Sequence, residues 1–276
     1  MTIVATLLKS LCKEANELKE KDSLYYYGGI SDYGDRETNE DFLTFQELSS
    51  NIMLAVVADG AGSRQCGFAL QPAVIAATDL IAAVQRIYNA NPEILSQYSA
   101  EILTEAMQAA NRTIGVFKVA NETLYSGFGV CVSACLLLNG KAVIAHCGNT
   151  RVYLIRYISG ESKILQLTHD HTSAATMVSE GTLSEEEYYS HPGRYTYTSG
   201  LGFAVNPEIQ TFSITTKKGD LLALTTDGIH YAIRPKYISE IILQARNWKE
   251  AAQSLINGAK SQEMDDNMTA AVIQIK

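Results

Sequence analysis

The chain reads as an α+β domain in which antiparallel sheets are layered against helices. Three observations predict this. Strand-like runs fall in adjacent hairpins, and helical patterns fall in adjacent pairs instead of alternating with single strands as βαβ units do. The composition supplies a core: of 276 residues, 46% are hydrophobic and 19% charged, which is globular and unlike a disordered chain.

In chain order, residues 1–22 place Val4, Leu7, Leu8, Leu11, Ala15 and Leu18 at helical spacing, predicting an N-terminal amphipathic helix ahead of one domain over residues 23–276. Lys9 breaks the apolar run, a charged segment follows and no small-residue cleavage site is present, so a signal peptide is not expected. Strands are predicted over residues 23–30, 42–46 and 51–58, then helices over 71–89 and 92–120. Pro72 and Pro92 fall near the helix starts, where proline is tolerated. Strands follow over 129–138, 141–147 and 151–156, with Asn139-Gly140 as a hairpin signal between the first two. A less regular stretch spans 168–197. Strands over 208–215 and 220–226 are joined by a short turn around Lys217-Lys218-Gly219. Helices over 235–245 and 248–259 precede a last strand over 268–275.

The net charge is −8, from 30 acids against 22 bases, which argues against nonspecific nucleic-acid binding. An anionic substrate remains compatible if metal ions supply local positive charge. No run approaches the ~18–20 apolar residues of a membrane span. The five cysteines, Cys12, Cys66, Cys131, Cys135 and Cys147, form an odd set without a pairing framework, which predicts reduced thiols and a cytoplasmic setting. Cys131 and Cys135 lie in an apolar run with no histidine at ligand spacing and are expected to be buried.

Acids gather at strand ends. The strand over 51–58 runs into Asp59-Gly60, and that over 220–226 into Asp227-Gly228. The strand over 42–46 follows Asn39-Glu40-Asp41, and the last strand follows Asp265-Asp266-Asn267. A hairpin turning around Ser49-Ser50 sets Asp41 nearly opposite Asp59; if the other two strands pair likewise, four carboxylates meet at one edge. Singly, each Asp-Gly is a common turn and each acid ordinary surface charge. Together they repel unless cations neutralise them. Oxygen ligands without histidine or cysteine suit Mg²⁺ or Mn²⁺ and not Zn²⁺. Glycine after the aspartate allows a sharp turn that exposes a carbonyl as a further hard ligand.

Six segments in order resemble the PPM family, the metal-dependent type 2C serine/threonine protein phosphatases of bacterial type: Arg36-Glu37-Thr38-Asn39-Glu40-Asp41, Val57-Ala58-Asp59-Gly60-Ala61-Gly62, Cys147-Gly148-Asn149-Thr150-Arg151-Val152-Tyr153, Leu167-Thr168-His169-Asp170-His171-Thr172, Thr226-Asp227-Gly228 and Asp266-Asn267-Met268-Thr269. The resemblance runs from about Tyr27 to Ile275. It implies an α-β-β-α sandwich of two antiparallel sheets flanked by helices, and a hydrolase acting on phosphoserine and phosphothreonine in phosphoproteins, opposed by a Ser/Thr kinase. It also implies two Mn²⁺ or Mg²⁺ ions, with Asp59 bridging both, Asp227 and Asp266 completing the ligands of one, the Gly60 carbonyl binding the other, and Glu40 and Asp41 holding coordinated waters. Two such ions activate a water for in-line attack on phosphorus. Arg36 would bind the substrate phosphate, a role that its planar fork fits; the bland reading is a surface ion pair with Glu37 or Glu40.

The chain departs from the family pattern at two places. No histidine follows Asp59-Gly60, and none of His146, His169, His171, His191 and His230 can be carried over as general acid, so the leaving-group proton is expected from water. Asn149 stands where the family usually has an aspartate that binds a third ion, which makes a third ion doubtful here; as a bland alternative, Asn149 caps the turn into the next strand. Residues 174–197 resemble a mobile flap beside the active site. The alternative to an enzyme is a regulatory phosphoprotein-binding module with weak or no catalysis. A metal-dependent nuclease fits less well, given the acidic charge.

Overall fold

The computed structural model describes residues 23–62, 71–120 and 127–276; the helix expected over residues 1–22 lies outside them. Two antiparallel five-stranded sheets form the centre. The strands are β1 Tyr25–Asp32, β2 Asp41–Ser49, β3 Ile52–Ala61, β4 Gly129–Leu138, β5 Lys141–Cys147, β6 Arg151–Ile158, β7 Glu161–Gln166, β8 Gln210–Thr215, β9 Leu221–Thr225 and β10 Met268–Ile275. One sheet runs β1-β10-β9-β6-β7 and the other β2-β3-β4-β5-β8.

Strand alternation stacks these sheets. On β3, Leu54, Val56 and Ala58 turn to a core shared with helices α1 (Pro72–Ala90), α2 (Pro92–Gln97) and α3 (Ser99–Ala120). Met53, Ala55 and Val57 turn the other way and meet Leu222, Leu224, Ala271 and Ile273 of the opposite sheet. The far face of that sheet packs on α6 (Pro235–Gln244) and α7 (Trp248–Lys260), through Ile238, Ile242, Leu255 and Ile256 against Ala223, Ala270 and Val272. Four layers, α-β-β-α, result. All ten residues of β4 are buried, because both its faces are covered. Cys131, Cys135 and Cys147 are free and buried as expected, and burial pushes the Cys135 and Cys147 thiols up to about 12. No helix among the described residues is long and apolar enough to cross a membrane.

Several elements differ from expectation. The helix predicted over 92–120 breaks at Tyr98, whose backbone leaves the helical region at φ −117 and ψ 30. β7 is unforeseen; its exposure alternates along an edge strand, so its apolar signal is weak. The strands on either side of Lys217-Lys218-Gly219 do not form a hairpin: β8 pairs with β5 in one sheet, whereas β9 pairs with β6 and β10 in the other. The Asn139-Gly140 turn does close a hairpin, with positive φ at both residues (49 and 74), the combination that a tight two-residue turn demands.

Candidate active site

The acid-bearing strand ends converge where the two sheets meet. Asp41 and Asp59 are register partners in the β2–β3 ladder, as the hairpin predicts. Asp227 and Asp266 come from the other sheet, after β9 and before β10, so the acids gather across a seam between sheets and not along one sheet edge. Thr226 stitches the seam: its hydroxyl donates to Asp41 Oδ2 at 2.8 Å and accepts from the Thr269 amide at 3.0 Å. Asn267 ties the approach to β2 against β10. Its Nδ2 donates to the Tyr33 and Thr38 carbonyls, and its Oδ1 accepts from the Glu40 amide, all at 2.9 Å.

The two Asp-Gly glycines are demanded by close approach. A Cβ at Gly60 would stand 2.7 Å from the Glu40 carbonyl oxygen, and one at Gly228 would stand 2.1 Å from that of Asn267. Turn chemistry alone predicts a glycine here; packing makes it obligatory.

Arg36, Glu40, Asp59, Gly60, Ala61, Gly62, Tyr195, Tyr197, Asp227 and Asp266 line one open cleft of about 420 Å³. Every residue singled out from the sequence for ligand or phosphate contact is thus in it, with Asp41 behind, 4% exposed. Arg36 pairs with neither Glu37 nor Glu40. Its Nε donates to Asp265 Oδ1 at 3.1 Å, its terminal nitrogen donates to the Asp265 carbonyl at 2.6 Å, and that nitrogen lies 3.3 Å from Asp266 Oδ1.

Crowding raises these carboxyls. Burial, then repulsion by Asp227, Asp41, Asp266 and Glu40, pushes Asp59 well above the usual carboxylate range. Burial lifts Asp41 to about 8 against the Thr226 hydrogen bond, and burial with repulsion by Asp266 lifts Asp227 to about 7 against the Asn149 hydrogen bond. Burial also raises Asp266, with Arg36 opposing. Among the described residues of the lining, Arg36 is the one cation set against these acids, and the donors are all hard oxygens, which fits Mg²⁺ or Mn²⁺. Among the described residues no three acid, histidine or cysteine side chains close into a cage unaided. A cation here would complete its shell with water, as Mg²⁺ commonly does.

Asn149 is fully buried beside Asp227, donating from Nδ2 to Asp227 Oδ2 at 3.1 Å and to the Tyr231 hydroxyl at 3.2 Å. Its Oδ1, the atom that would cap the following turn, accepts no hydrogen bond among the described residues, which removes the turn-capping reading. His146, His169 and His171 form a structural cluster away from the cleft lining: His146 Nδ1 meets Ser133 Oγ, His146 Nε2 meets the His169 carbonyl, and His171 Nδ1 accepts from the Gly148 amide. Residues 173–197 fold as α4 (Ser173–Ser179), α5 (Glu185–Tyr188) and a 3₁₀ turn (Pro192–Tyr195) beside the cleft. Sequence reasoning placed that segment correctly but missed Tyr195 and Tyr197 as cleft residues; the alternation of tyrosines through Arg194-Tyr195-Thr196-Tyr197 was the available signal.

A family model described as protein phosphatase 2C matches residues 29–272. The chain is 25% identical over 240 residues to the serine/threonine phosphatase stp of Listeria monocytogenes serotype 4b, covering 87% of this chain and 91% of that one. It is 24% identical over 250 residues to the protein phosphatase PhpP of Streptococcus pneumoniae serotype 2, covering 89% and 96%. Among solved structures, the Mycobacterium tuberculosis serine/threonine phosphatase PstP/Ppp superposes with a TM-score of 0.73 at 28% identity, over 91% of this chain and 99% of the other. A PstP catalytic domain in complex with two manganese ions gives 0.70, also at 28% identity, over 91% and 97%.

Proposed function

This chain belongs to the protein phosphatase 2C family, the metal-dependent serine/threonine protein phosphatases, and from that premise we propose that it hydrolyses phosphoserine and phosphothreonine in proteins with two Mn²⁺ or Mg²⁺ ions. The observation that carries the reading is the cluster of Asp59, Asp227 and Asp266 in one cleft with Arg36 at its rim. When bound, the two ions supply an activated water and positive charge for the phosphoryl oxygens.

The protein's own groups do the rest. Asp59, Asp227 and Asp266 would hold the ions together with the Gly60 carbonyl, and Glu40 and Asp41 would orient water around them. Arg36, braced by Asp265 and Asp266, presents a planar fork to phosphoryl oxygens. Tyr195 and Tyr197 wall the cleft against which the substrate chain lies. No histidine lines the cleft among the described residues, so the departing serine or threonine oxygen takes its proton from water in the cleft. At the position where the resemblance has an acid for a third ion, the neutral Asn149 amide donates to Asp227, which supports two ions and no third.

The biological setting proposed with this is cytoplasmic, as one phosphatase domain over residues 23–276 opposed by a Ser/Thr kinase, with neither nucleic acid nor membrane as partner. The test is hydrolysis of a phosphothreonine peptide. Release of phosphate with Mn²⁺ or Mg²⁺, abolished by EDTA and restored by metal, is expected; full activity in chelator overturns the two-ion reading.

A further inference from the structure

Asp227 is tied to the wall of the cleft through two side chains that are not themselves in the cleft lining. A carboxamide has two N–H donors, and both of Asn149's stay inside this cluster, one to Asp227 and one to the Tyr231 hydroxyl. Tyr231 passes its own proton to the Arg194 carbonyl at 2.7 Å. Tyr195 follows immediately, and Tyr197 two residues later, and both line the cleft. Three hydrogen bonds thus run from a carboxylate of the cluster to the backbone of the wall.

Side-chain packing reinforces the path. The Tyr231 ring meets Tyr195 edge-on at 5.5 Å, and the Arg194 guanidinium stacks over both rings at 4.7 and 4.6 Å. The network also fixes the amide's orientation. Turned the other way, the Asn149 carbonyl would face the Asp227 carboxylate, and the only hydroxyl proton of Tyr231 is already given to Arg194. Asn149 Oδ1, buried and without a hydrogen-bond partner among the described residues, offers no competing anchor.

Resting on the two-ion reading, we propose that Asn149 and Tyr231 are positioning residues that hold the Asp227 carboxylate and residues 194–197 as one unit. Cation binding at Asp227 then steadies the wall, and a substrate pressing on Tyr195 and Tyr197 is felt at Asp227.

The test combines Mn²⁺ titration by calorimetry with amide hydrogen exchange over residues 194–197, in wild type, Tyr231→Phe, Asn149→Ala and the double variant. In wild type, Mn²⁺ is expected to slow exchange in this segment. Tyr231→Phe keeps the ring and removes the hydroxyl; exchange should become insensitive to Mn²⁺, and Mn²⁺ affinity should fall about tenfold, as when a ligand loses its supporting partner. The double variant should be no worse than the poorer single, because both changes break the same path. Wild-type affinity together with Mn²⁺-sensitive exchange in the singles, or fully additive losses, overturns the proposal. If Tyr231→Phe does not fold, Asn149→Ala decides the matter by the same two measurements. A wild type that binds no Mn²⁺ refutes the two-ion reading itself, whereas a binding wild type with indifferent variants refutes only the coupling.

Discussion

Asp59 occupies the most crowded position in the cleft, paired with Asp41 along the ladder and repelled by Asp227 and Asp266 from across the seam. On the proposed two-ion reading, Asp59→Asn removes charge that both ions would share, and phosphopeptide turnover with Mn²⁺ should fall by more than about 100-fold, beyond the loss of a mere supporting partner; steady-state kinetics at saturating metal checks this. Arg36→Ala should raise KM and lower kcat together, because a donor to ground-state and developing phosphoryl charge is lost. Its ion pairs are partly exposed and worth ~0–1 kcal/mol, so Tm should barely move. Asn149→Asp exchanges a hydrogen-bond donor for a second negative charge against Asp227. Calorimetry should then count one Mn²⁺ more than in wild type; equal stoichiometry and affinity in both proteins would contradict the reading that Asn149 excludes a third ion.

At the scale of elements, legibility follows how local the cause is. β4, β5 and β10 have the predicted ends, because turn residues bound them and both faces are apolar. β7 escaped because only one of its faces is partly covered. The acids were legible because each sits in a strand-end motif, and resemblance ordered them. Tyr231 and the route through Asn149 were not, since nothing local links residues 149, 194 and 231 before the chain folds. The Arg151–Asp170 pair between β6 and the loop after β7 was likewise hidden, and it carries a pH signature. Burial alone would raise Asp170, but the Arg151 guanidinium at 2.7 Å overrides it and holds the carboxyl at about 2, below its ordinary 3.8. A depressed folded pKa contributes stability that is complete above the ordinary value and drains away as pH falls from there towards 2. Urea midpoints between pH 5 and pH 2.5 should therefore drop less in an Arg151→Met, Asp170→Leu double variant than in wild type.

For the whole molecule, the active centre is a property of the seam and belongs to neither sheet. Metal that binds only the closed arrangement stabilises it by mass action: at about 100 times Kd the gain is roughly 2.7 kcal/mol, several degrees in a melting scan. Mn²⁺ should raise Tm and EDTA should return it, and the shift should vanish in Asp59→Asn. The register of the outer strands adds a matter of timing. Tyr25 pairs with Ile275, so β1 waits for β10 to be synthesised before its sheet can close. The β2–β3 ladder holds Asp41 and Asp59 without β10, whereas Asp266 depends on β10 being paired with β9 and β1. The cleft is therefore complete only once β10 has docked between β1 and β9, so closing that sheet and assembling the acid cluster are one event.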